Sequence, residues 1–340
     1  MTDKPRKVLI TGANGFLGSY ITRKLTASGR YELTCLVRQN GDLSLISDLK
    51  KDLDIVRGDI RDVSLMYDTV KGMDCIIHAA AEVSFTSGRK SLLSSAMDGT
   101  ANLVNAALEA NTPKFVHISS VAAIGRRKPV EEISERQMFA HSQYDTDYGL
   151  AKFLAEQEVW RANAEGLNTT ILNPSMILGA GNWEKTSLRV ISEIYGGLKF
   201  FPAGVTGWVD VRDVADAVIR AMAPDQNGKR YIISSQNLPY GEVFGLIADH
   251  LGVKKPGAAI SRNMFVPVLV YDKLRSLFAG RKPLLSMATL RSTSAESYYQ
   301  NTASVSDLGM NYIPVSNTIA DTCLLFKQSF AAGQKYALFT

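Results

Sequence analysis

The chain of 340 residues is 46% hydrophobic and 21% charged, which predicts one large or two modest folded domains and argues against a disordered chain. Its formal net charge of +5 is mild for this length and gives no indication of a nucleic-acid partner. Three scattered cysteines and four scattered histidines show neither a disulfide framework nor a metal-binding spacing, so we expect a reducing compartment and no metal.

Neither a secretory leader nor a membrane span is visible in the hydropathy pattern. The residues before Val8 are polar and basic and lead directly into an apolar run. The longest apolar stretch, 264–270, contains Pro267 and is too short to cross a bilayer. We therefore expect a cytoplasmic protein without a membrane partner.

The first half of the chain alternates short apolar runs with amphipathic stretches. The apolar runs predict buried strands at 8–11, 32–37, 54–56, 75–79, 115–119 and 170–172. Helical spacing of apolar residues predicts helices at 16–28, 64–70, 92–109 and 148–164. Continuous apolar strands separated by helices indicate an α/β fold with a doubly wound parallel sheet.

The pattern becomes irregular after Pro174, with one further helix predicted at 211–222 and one further strand at 230–234. From about 238 onward the sequence indicates mostly helices with proline breaks. We predict a dinucleotide-binding domain of residues 1–175 plus 209–236. A smaller, mostly helical substrate domain would comprise 176–208 plus 237–330, followed by a tail of 331–340. The apolar segment 264–278 is consistent with a substrate lid, with core packing or with packing in a homodimer.

A glycine-rich turn separates the first predicted strand from the first predicted helix. Gly12 permits a tight turn, Gly15 allows close approach of a pyrophosphate, and Gly18 allows the helix to pack on the sheet. The helix N-terminus supplies free N–H groups and the positive end of its dipole. We predict a dinucleotide site here; the alternative is a glycine-rich turn without a ligand. The predicted contacts are Gly12, Asn14, Gly15, Phe16, Leu17 and Gly18.

The end of the second predicted strand favours NADP(H) over NAD(H). Enzymes that bind a free ribose 2′-hydroxyl usually have a carboxylate about twenty residues beyond the last glycine. Val37 stands there and Arg38 follows, and a guanidinium suits a 2′-phosphate. The alternative is that Arg38 stacks on adenine and that NAD(H) is accepted.

Further cofactor contacts are expected where the third and fourth predicted strands end. Asp59 and Ile60 follow the third strand, and Asp59 would accept a hydrogen bond from adenine or else cap a helix. Small residues leave room for a ligand at the end of the fourth strand, namely Ala79, Ala80 and Ala81.

A candidate catalytic group comes from Ser120, Tyr148 and Lys152. The spacing i, i+4 places Tyr148 and Lys152 on one face of a helix. Reduction of a carbonyl requires a proton donor, and a nearby ammonium lowers the pKa of a phenol toward neutrality. Lys152 would also bind the nicotinamide ribose, and Ser120 would hold the substrate oxygen beside Tyr148. Each motif alone is weak, but their combination in this order favours an active site.

Together these motifs resemble the extended short-chain dehydrogenase/reductase family. The resemblance rests on the glycine-rich loop, on His78 to Ala81, on Ser119-Ser120, on Tyr148 and Lys152, and on two later motifs at 173–179 and 209–215. It implies a Rossmann fold and a Ser-Tyr-Lys site, with backbone contacts to the nicotinamide carboxamide from Pro174, Ser175 and Ile177.

Departures from the family pattern favour its dihydroflavonol-reductase and hydroxysteroid-dehydrogenase-like branch. Dehydratases have an Asp-Glu pair after the catalytic hydroxyl, whereas Val121-Ala122 stands here. Nucleotide-sugar enzymes have arginine where this chain has Thr206, and Trp208 with Phe200 and Phe201 suggests an apolar wall instead. Arg212 is expected to pair with Asp213.

The sequence therefore favours an NADP(H)-dependent reductase of a ketone or aldehyde, or a dehydrogenase of the alcohol, acting on a fairly apolar small molecule. A nucleotide-sugar epimerase with tightly bound NAD is one alternative, and a non-catalytic dinucleotide sensor is another. The basic run 126–128 would either bind an anionic substrate group or lie in a solvated loop.

Overall fold

The computed structural model describes residues 4–80, 89–278 and 286–339. Its strands are β1 (Arg6–Thr11), β2 (Tyr31–Val37), β3 (Leu53–Arg57), β4 (Cys75–His78), β5 (Phe115–Ile118), β6 (Val130–Ile133), β7 (Thr169–Pro174), β8 (Met176–Leu178), β9 (Phe200–Pro202), β10 (Val205–Asp210), β11 (Lys229–Ile233), β12 (Gln236–Pro239), β13 (Ala258–Ile260) and β14 (Glu296–Tyr299). Its α-helices are α1 (Phe16–Ser28), α2 (Val63–Val70), α3 (Arg89–Glu109), α4 (Asp147–Ala164), α5 (Arg189–Tyr195), α6 (Val211–Ala221), α7 (Tyr240–Leu251), α8 (Phe265–Phe278), α9 (Met287–Thr293), α10 (Thr302–Leu308) and α11 (Val315–Ala331).

The main sheet has seven parallel strands in the order β3-β2-β1-β4-β5-β7-β11. Apolar side chains of α1 and α6 pack on one face of this sheet, and those of α2, α3 and α4 pack on the other. The doubly wound parallel sheet predicted from the sequence is therefore confirmed. The sheet places the carboxyl ends of β1, β2, β4 and β5 along one edge, where a ligand crevice is expected.

A second sheet joins strands from distant parts of the chain. It has the order β12-β10-β14-β6, and β8 also pairs with β10, while β9 and β13 form a separate two-stranded sheet. Strand β6 lies within the segment 1–175 that the sequence assigned to the dinucleotide-binding domain, yet it pairs with β14. The division into two domains stays a prediction.

The last residues of the chain return to the first helix. The Phe339 N–H donates to the hydroxyl of Tyr20 on α1 (3.0 Å), and Asn182 pairs with Tyr336 in an isolated β-bridge. The guanidinium of Arg212 lies 4.0 Å from the centroid of the Phe339 ring, a cation–π contact. The segment predicted as a tail therefore packs against α1 and α6.

All three thiols, Cys35, Cys75 and Cys323, are free and buried, and burial raises the pKa of each to about 12. Within the described ranges, no helix combines the length and apolar character needed to cross a bilayer. The same ranges contain no group of three His, Cys, Asp or Glu side chains placed to hold a metal ion.

Candidate active site

The glycine-rich loop between β1 and α1 requires glycine at two positions and favours a small residue at a third. Gly12 has φ of 74°, and a Cβ there would lie 2.7 Å from the backbone nitrogen of Ala80. A Cβ on Gly18 would overlap the Gly12 carbonyl oxygen. A Cβ on Gly15 would lie 3.2 Å from that same oxygen, which is a tight contact but does not by itself require glycine. A small residue at position 15 leaves the first turn of α1 open to close approach.

The N-terminus of α1 carries no side-chain cap, because its N-cap residue is Gly15. Its free N–H groups and helix dipole suit an anion such as a pyrophosphate. The other loop side chains shape the turn: Asn14 Nδ2 donates to the Asp42 carbonyl (2.7 Å), Phe16 packs edge-on against Tyr20, and Leu17 packs on the core.

A cleft of about 1110 Å³, including its open mouth, extends from this loop to α4. That size is sufficient for a dinucleotide-sized ligand. The predicted residues that line it are Gly12, Asn14, Gly15, Arg38, Asp59, Ile60, Ala79, Ala80, Tyr148 and Lys152. Phe16, Leu17, Gly18, Ser120, Pro174, Ser175 and Ile177 do not line it, and Ala81 lies outside the described residues. Sequence reasoning missed the other lining residues, which are Leu36, Val37, Gly41, Gly58, His78, Ser95, Ala96, Thr100, His117, Ala151 and Ala155.

Arg38 and Asp59 lie together at one end of the cleft. Asp59 accepts two hydrogen bonds from the Arg61 guanidinium, at 3.0 and 2.7 Å, and these lower its pKa to about 2. Arg38 contributes a weaker attraction in the same direction. The suggestion that Asp59 caps a helix is wrong, because Asp62 caps α2 by accepting from the Leu65 N–H. An exposed arginine at the carboxyl end of β2 remains suitably placed for a phosphate.

Two neutral histidines form part of the cleft wall beneath Lys152. The ring nitrogens of His78 pair with the Thr11 hydroxyl (2.7 Å) and the Thr100 hydroxyl (3.2 Å). Burial lowers the pKa of His78 to about 3. Burial also lowers the pKa of His117, whose ring centroid lies 5.2 Å from the ring centroid of His78. Neither histidine carries a charge near neutral pH. The single ammonium of Lys152 therefore dominates the electrostatics of this part of the cleft.

Helix α4 presents the predicted catalytic pair toward the cleft. It begins at Asp147, one residue earlier than predicted, because the Thr146 hydroxyl accepts from the Gly149 N–H (3.0 Å) and caps it. Ser120 caps the short 3₁₀ turn after β5 by accepting from the Ala122 N–H (3.2 Å). A hydrogen bond joins Ser120 to the Tyr148 phenol.

Protonation of the pair is set mainly by burial. Burial raises the pKa of the Tyr148 phenol above its ordinary value, and the hydrogen bond with Ser120 opposes that shift only in part. This direction differs from the lowering that the sequence suggested, because desolvation of the phenol outweighs the hydrogen bond with Ser120. Burial also lowers the pKa of the Lys152 ammonium to about 8, and Glu156 opposes the change. Lys152 Nζ donates to the Ile118 carbonyl (2.8 Å), which fixes the ammonium at the end of β5.

A buried network behind these residues escaped the sequence analysis. The Glu156 side chain is fully buried on α4 and accepts from Asn173 Nδ2 (2.6 Å) and from an Arg230 nitrogen (3.3 Å). Asn173 Nδ2 also donates to the Ser120 carbonyl (2.8 Å), which links Glu156 to the strand end that carries Ser120. The available sequence signal was a glutamate one helical turn beyond Lys152, on the same face of α4.

A second, apolar cleft of about 1260 Å³, including its mouth, begins at β8. Met176 on β8 lines it and directly follows Ser175, which the resemblance places against the nicotinamide. Its aromatic lining comes from Phe200, Trp208, Tyr240, Phe244 and Tyr271. The apolar wall suggested by Phe200 and Trp208 is therefore present, whereas Phe201 packs against Gly241.

Two other expectations, one for Arg212 and one for Arg126, need correction. Arg212 pairs with Asp210 (2.7 Å) and Asp321 (2.9 Å) rather than with Asp213, whose carboxylate accepts from the Ile313 N–H. Asp321 is 109 residues from Arg212, too far for sequence reasoning to connect them.

Two polar residues near the second sheet, Thr206 and Arg126, are bonded to other side chains of the chain. Thr206 is buried and hydrogen-bonds Tyr240. In the basic run, Arg127 and Lys128 are exposed, but Arg126 donates to Ser297 (2.7 Å) and Tyr299 (2.9 Å) and ties the loop to β14.

Comparison with known proteins agrees with this geometry. The model of the NAD-dependent epimerase/dehydratase family matches residues 8–234. The chain is 26% identical over 325 residues to sterol demethylase protein B of Methylococcus capsulatus, covering 94% of this chain and 98% of that protein. It is 28% identical over 333 residues to a putative dihydroflavonol 4-reductase of Synechocystis sp., covering 94% of each. The crystal structure of gox2253 superposes with a TM-score of 0.81 at 28% identity, covering 94% of this chain and 98% of that chain.

The chain belongs to the NAD-dependent epimerase/dehydratase family and is an NAD(P)-dependent enzyme of the extended short-chain dehydrogenase/reductase type. The resemblance stated from the sequence motifs is thereby confirmed.

Proposed function

We propose that this protein is an NADP(H)-dependent reductase of a ketone or aldehyde on an apolar small molecule, and that it can oxidise the corresponding alcohol. The observation that supports the proposal most strongly is that Ser120, Tyr148 and Lys152 lie together beside the dinucleotide-sized cleft. A phenol, a hydroxyl and an ammonium in that arrangement supply what carbonyl reduction needs from the protein.

Each of the three residues has a distinct role. Tyr148 donates its proton to the carbonyl oxygen, and its raised pKa keeps that proton in place near neutral pH. Ser120 orients the same oxygen by a hydrogen bond. Lys152 holds positive charge at the end of β5, where it favours the phenolate left after proton transfer. The bound dinucleotide supplies the hydride that this proton transfer complements.

The residues of the cleft fit that cofactor. The uncapped start of α1 and the open position at Gly15 suit the pyrophosphate. Arg38 is our candidate ligand for a 2′-phosphate, and the remaining predicted contacts, including Pro174, Ser175 and Ile177, are proposed on the family resemblance. Ser175 offers a buried hydroxyl that has no partner among the described residues.

The apolar cleft bordered by Met176 is our candidate substrate site. Its wall of aromatic and aliphatic side chains favours burial of an apolar body, since transfer of apolar surface from water is favourable. Relatives named as a sterol demethylase protein and a dihydroflavonol reductase support a ring-containing substrate. We do not extend their individual reactions to this chain.

A nucleotide-sugar epimerase is the second candidate, because the matching family model describes epimerases as well as dehydratases. Thr206 counts against it, since a buried threonine bonded to Tyr240 offers no charge for a diphosphate.

The deciding experiment follows NADPH and NADH oxidation against a panel of apolar ketones and aldehydes. Calorimetric titration of the NADP-loaded protein with UDP-glucose, UDP-galactose and dTDP-glucose runs beside it. We expect turnover of at least one carbonyl and no binding of the sugars. Micromolar sugar binding without carbonyl turnover would favour the epimerase instead.

A further inference from the structure

Helix α8 exposes an aliphatic stripe along its length. Val266, Val270, Leu274 and Leu277 are 62%, 53%, 51% and 71% exposed, respectively. With 3.6 residues per turn these four side chains fall within an arc of about 80°. Isolated exposed apolar residues are ordinary, but a continuous stripe of branched aliphatics indicates an interaction surface.

The opposite side of α8 is already occupied. Phe265 and Val268 pack in a small core with Ile260 and Leu290, and Val268 also lines the apolar cleft. The helix therefore separates the proposed substrate cleft from the exposed stripe. Because packing on the inner side fixes the helix, the stripe is held outward as part of the fold.

Charge around α8 is strongly one-sided. The described residues of the segment 250–295 contain one acidic residue, Asp272, and six basic ones, which are Lys254, Lys255, Arg262, Lys273, Arg275 and Arg291. These described residues carry a net charge of +5, equal to that of the whole chain, and one of them, Lys255, is paired with Asp249 just before the segment (2.7 Å). Asp272 is buried against the cleft, whereas Lys273 and Arg262 are exposed.

An apolar stripe with the exposed cations Lys273 on the helix and Arg262 just before it matches one kind of partner. An amphipathic helix with basic flanks lies in the plane of an anionic bilayer, with its aliphatic side chains among the acyl chains. Helix α8 has 14 residues, roughly 21 Å at 1.5 Å per residue, which suits binding in the plane and not spanning. A second copy of the chain would bring two strongly positive segments together, so like-charge repulsion disfavours that occupant.

We propose that the outer face of α8 binds the surface of membranes rich in anionic lipids. This differs from the expectation of no membrane partner, which rested on the lack of a spanning segment. If the proposed reductase function holds, the apolar substrate enters the cleft from the bilayer on which α8 rests. The membrane binding itself does not depend on that function.

The test is vesicle flotation of the full chain, with and without NADPH. Vesicles of phosphatidylcholine containing about 30% phosphatidylglycerol are compared with pure phosphatidylcholine at low and high salt. We expect binding to the anionic vesicles, weakened by salt because screening shortens the range of the attraction. The double variant Leu274→Glu/Leu277→Glu should bind at least about tenfold more weakly, since charged side chains are costly among acyl chains.

A matched control places the same substitutions on exposed apolar residues elsewhere. Val305→Glu/Leu324→Glu changes side chains that are 45% and 54% exposed on α10 and α11, and it should bind vesicles like the wild type. Lys273→Glu provides a second, milder variant, expected to reduce binding even if the double variant folds poorly.

Three results would overturn the proposal. They are failure of the wild type to float with anionic vesicles, equal loss in the control variant, and unchanged binding in both α8 variants. Sedimentation velocity tests the alternative occupant, a second copy of the chain. If the wild type is a dimer that does not bind vesicles, and the α8 double variant is a monomer, the stripe is a dimer interface and not a membrane-binding surface. Carbonyl turnover is measured separately with a water-soluble substrate, so its failure and the failure of membrane binding are distinguishable.

Discussion

Replacing Tyr148 with phenylalanine removes one phenolic oxygen from the proposed active site. The Ser120 hydroxyl would lose its contact with the phenol but would keep its hydrogen bond from the Ala122 N–H. Loss of one hydrogen bond at a half-buried side chain costs about 0.5–1.5 kcal/mol, so the fold and the cofactor cleft should survive.

The effect on chemistry should be much larger than the effect on stability. The variant lacks the proposed proton donor, and general-acid catalysis typically contributes about 10²–10⁴ in rate. That range corresponds to about 2.7–5.4 kcal/mol of transition-state stabilisation. We therefore expect kcat for carbonyl reduction to fall by at least about 10², with the affinity for NADPH unchanged.

The pH dependence follows from the raised pKa of Tyr148. In the reductive direction the phenol must be protonated, and burial extends that protonated state above its ordinary pH range. Reduction should therefore be flat with respect to this group through neutral pH and should decline only under alkaline conditions. Alcohol oxidation, which needs the phenolate, should increase as the pH rises.

The assay measures steady-state NADPH oxidation, with cofactor affinity taken from the fluorescence of bound NADPH. Tyr144→Phe is the matched control, since Tyr144 is a buried tyrosine four residues earlier whose hydroxyl accepts from the Gln143 side chain (3.3 Å). Turnover of Tyr148→Phe within about threefold of wild type would refute the assignment of the proton donor. Equal losses in both variants would point to a structural effect instead.

Three further predictions concern the cofactor, the electrostatics and the loop. Arg38→Ala should weaken NADPH by about 1.5–3 kcal/mol in calorimetry and leave NADH nearly unchanged, with exposed Arg291→Ala as control; equal losses for both cofactors would indicate stacking on adenine. Asp213 has its pKa raised to about 6 by burial, so the fold favours its protonated form and stability falls as pH rises from about 4 to 6. Asp213→Asn should therefore be more stable than wild type at pH 8, by about 1–3 kcal/mol in urea titration, with little difference at pH 4; a constant difference across pH would contradict this reasoning. Gly18→Ala places a methyl group into the Gly12 carbonyl and should lower the melting temperature and abolish cofactor binding, whereas Gly245→Ala, also inside a helix but with only the Lys255 side chain within 4 Å (3.8 Å), should leave both nearly unchanged.

The sequence was most informative where local physics is strong. Helix α1 was predicted at 16–28 and is observed there, because Gly15 precedes it and Gly29 ends it in a left-handed conformation. The main-sheet strands were recognisable because burial on both faces requires continuous apolar runs. The predicted contacts also include ten of the residues that line the cleft, although eleven other lining residues were not predicted.

Contacts between distant segments could not be read from the sequence. Strand β6 pairs with β14 across more than 160 residues, and strands this short carry little periodicity of their own. Arg126 looked like part of a solvated basic loop until Ser297 and Tyr299 were seen to accept its hydrogen bonds. The direction of the Tyr148 pKa shift was missed for a related reason, since desolvation depends on the whole tertiary environment.

The burial of the three thiols makes the chain a convenient host for site-specific probes. The three thiols are buried and their pKa values are about 12. They should therefore react slowly with maleimides while the protein is folded. A single cysteine introduced at Leu274 would then carry a fluorophore or spin label without prior removal of the native thiols. Such a label reports the polarity around α8 directly, and a matching label at Leu324 supplies its reference in the same protein.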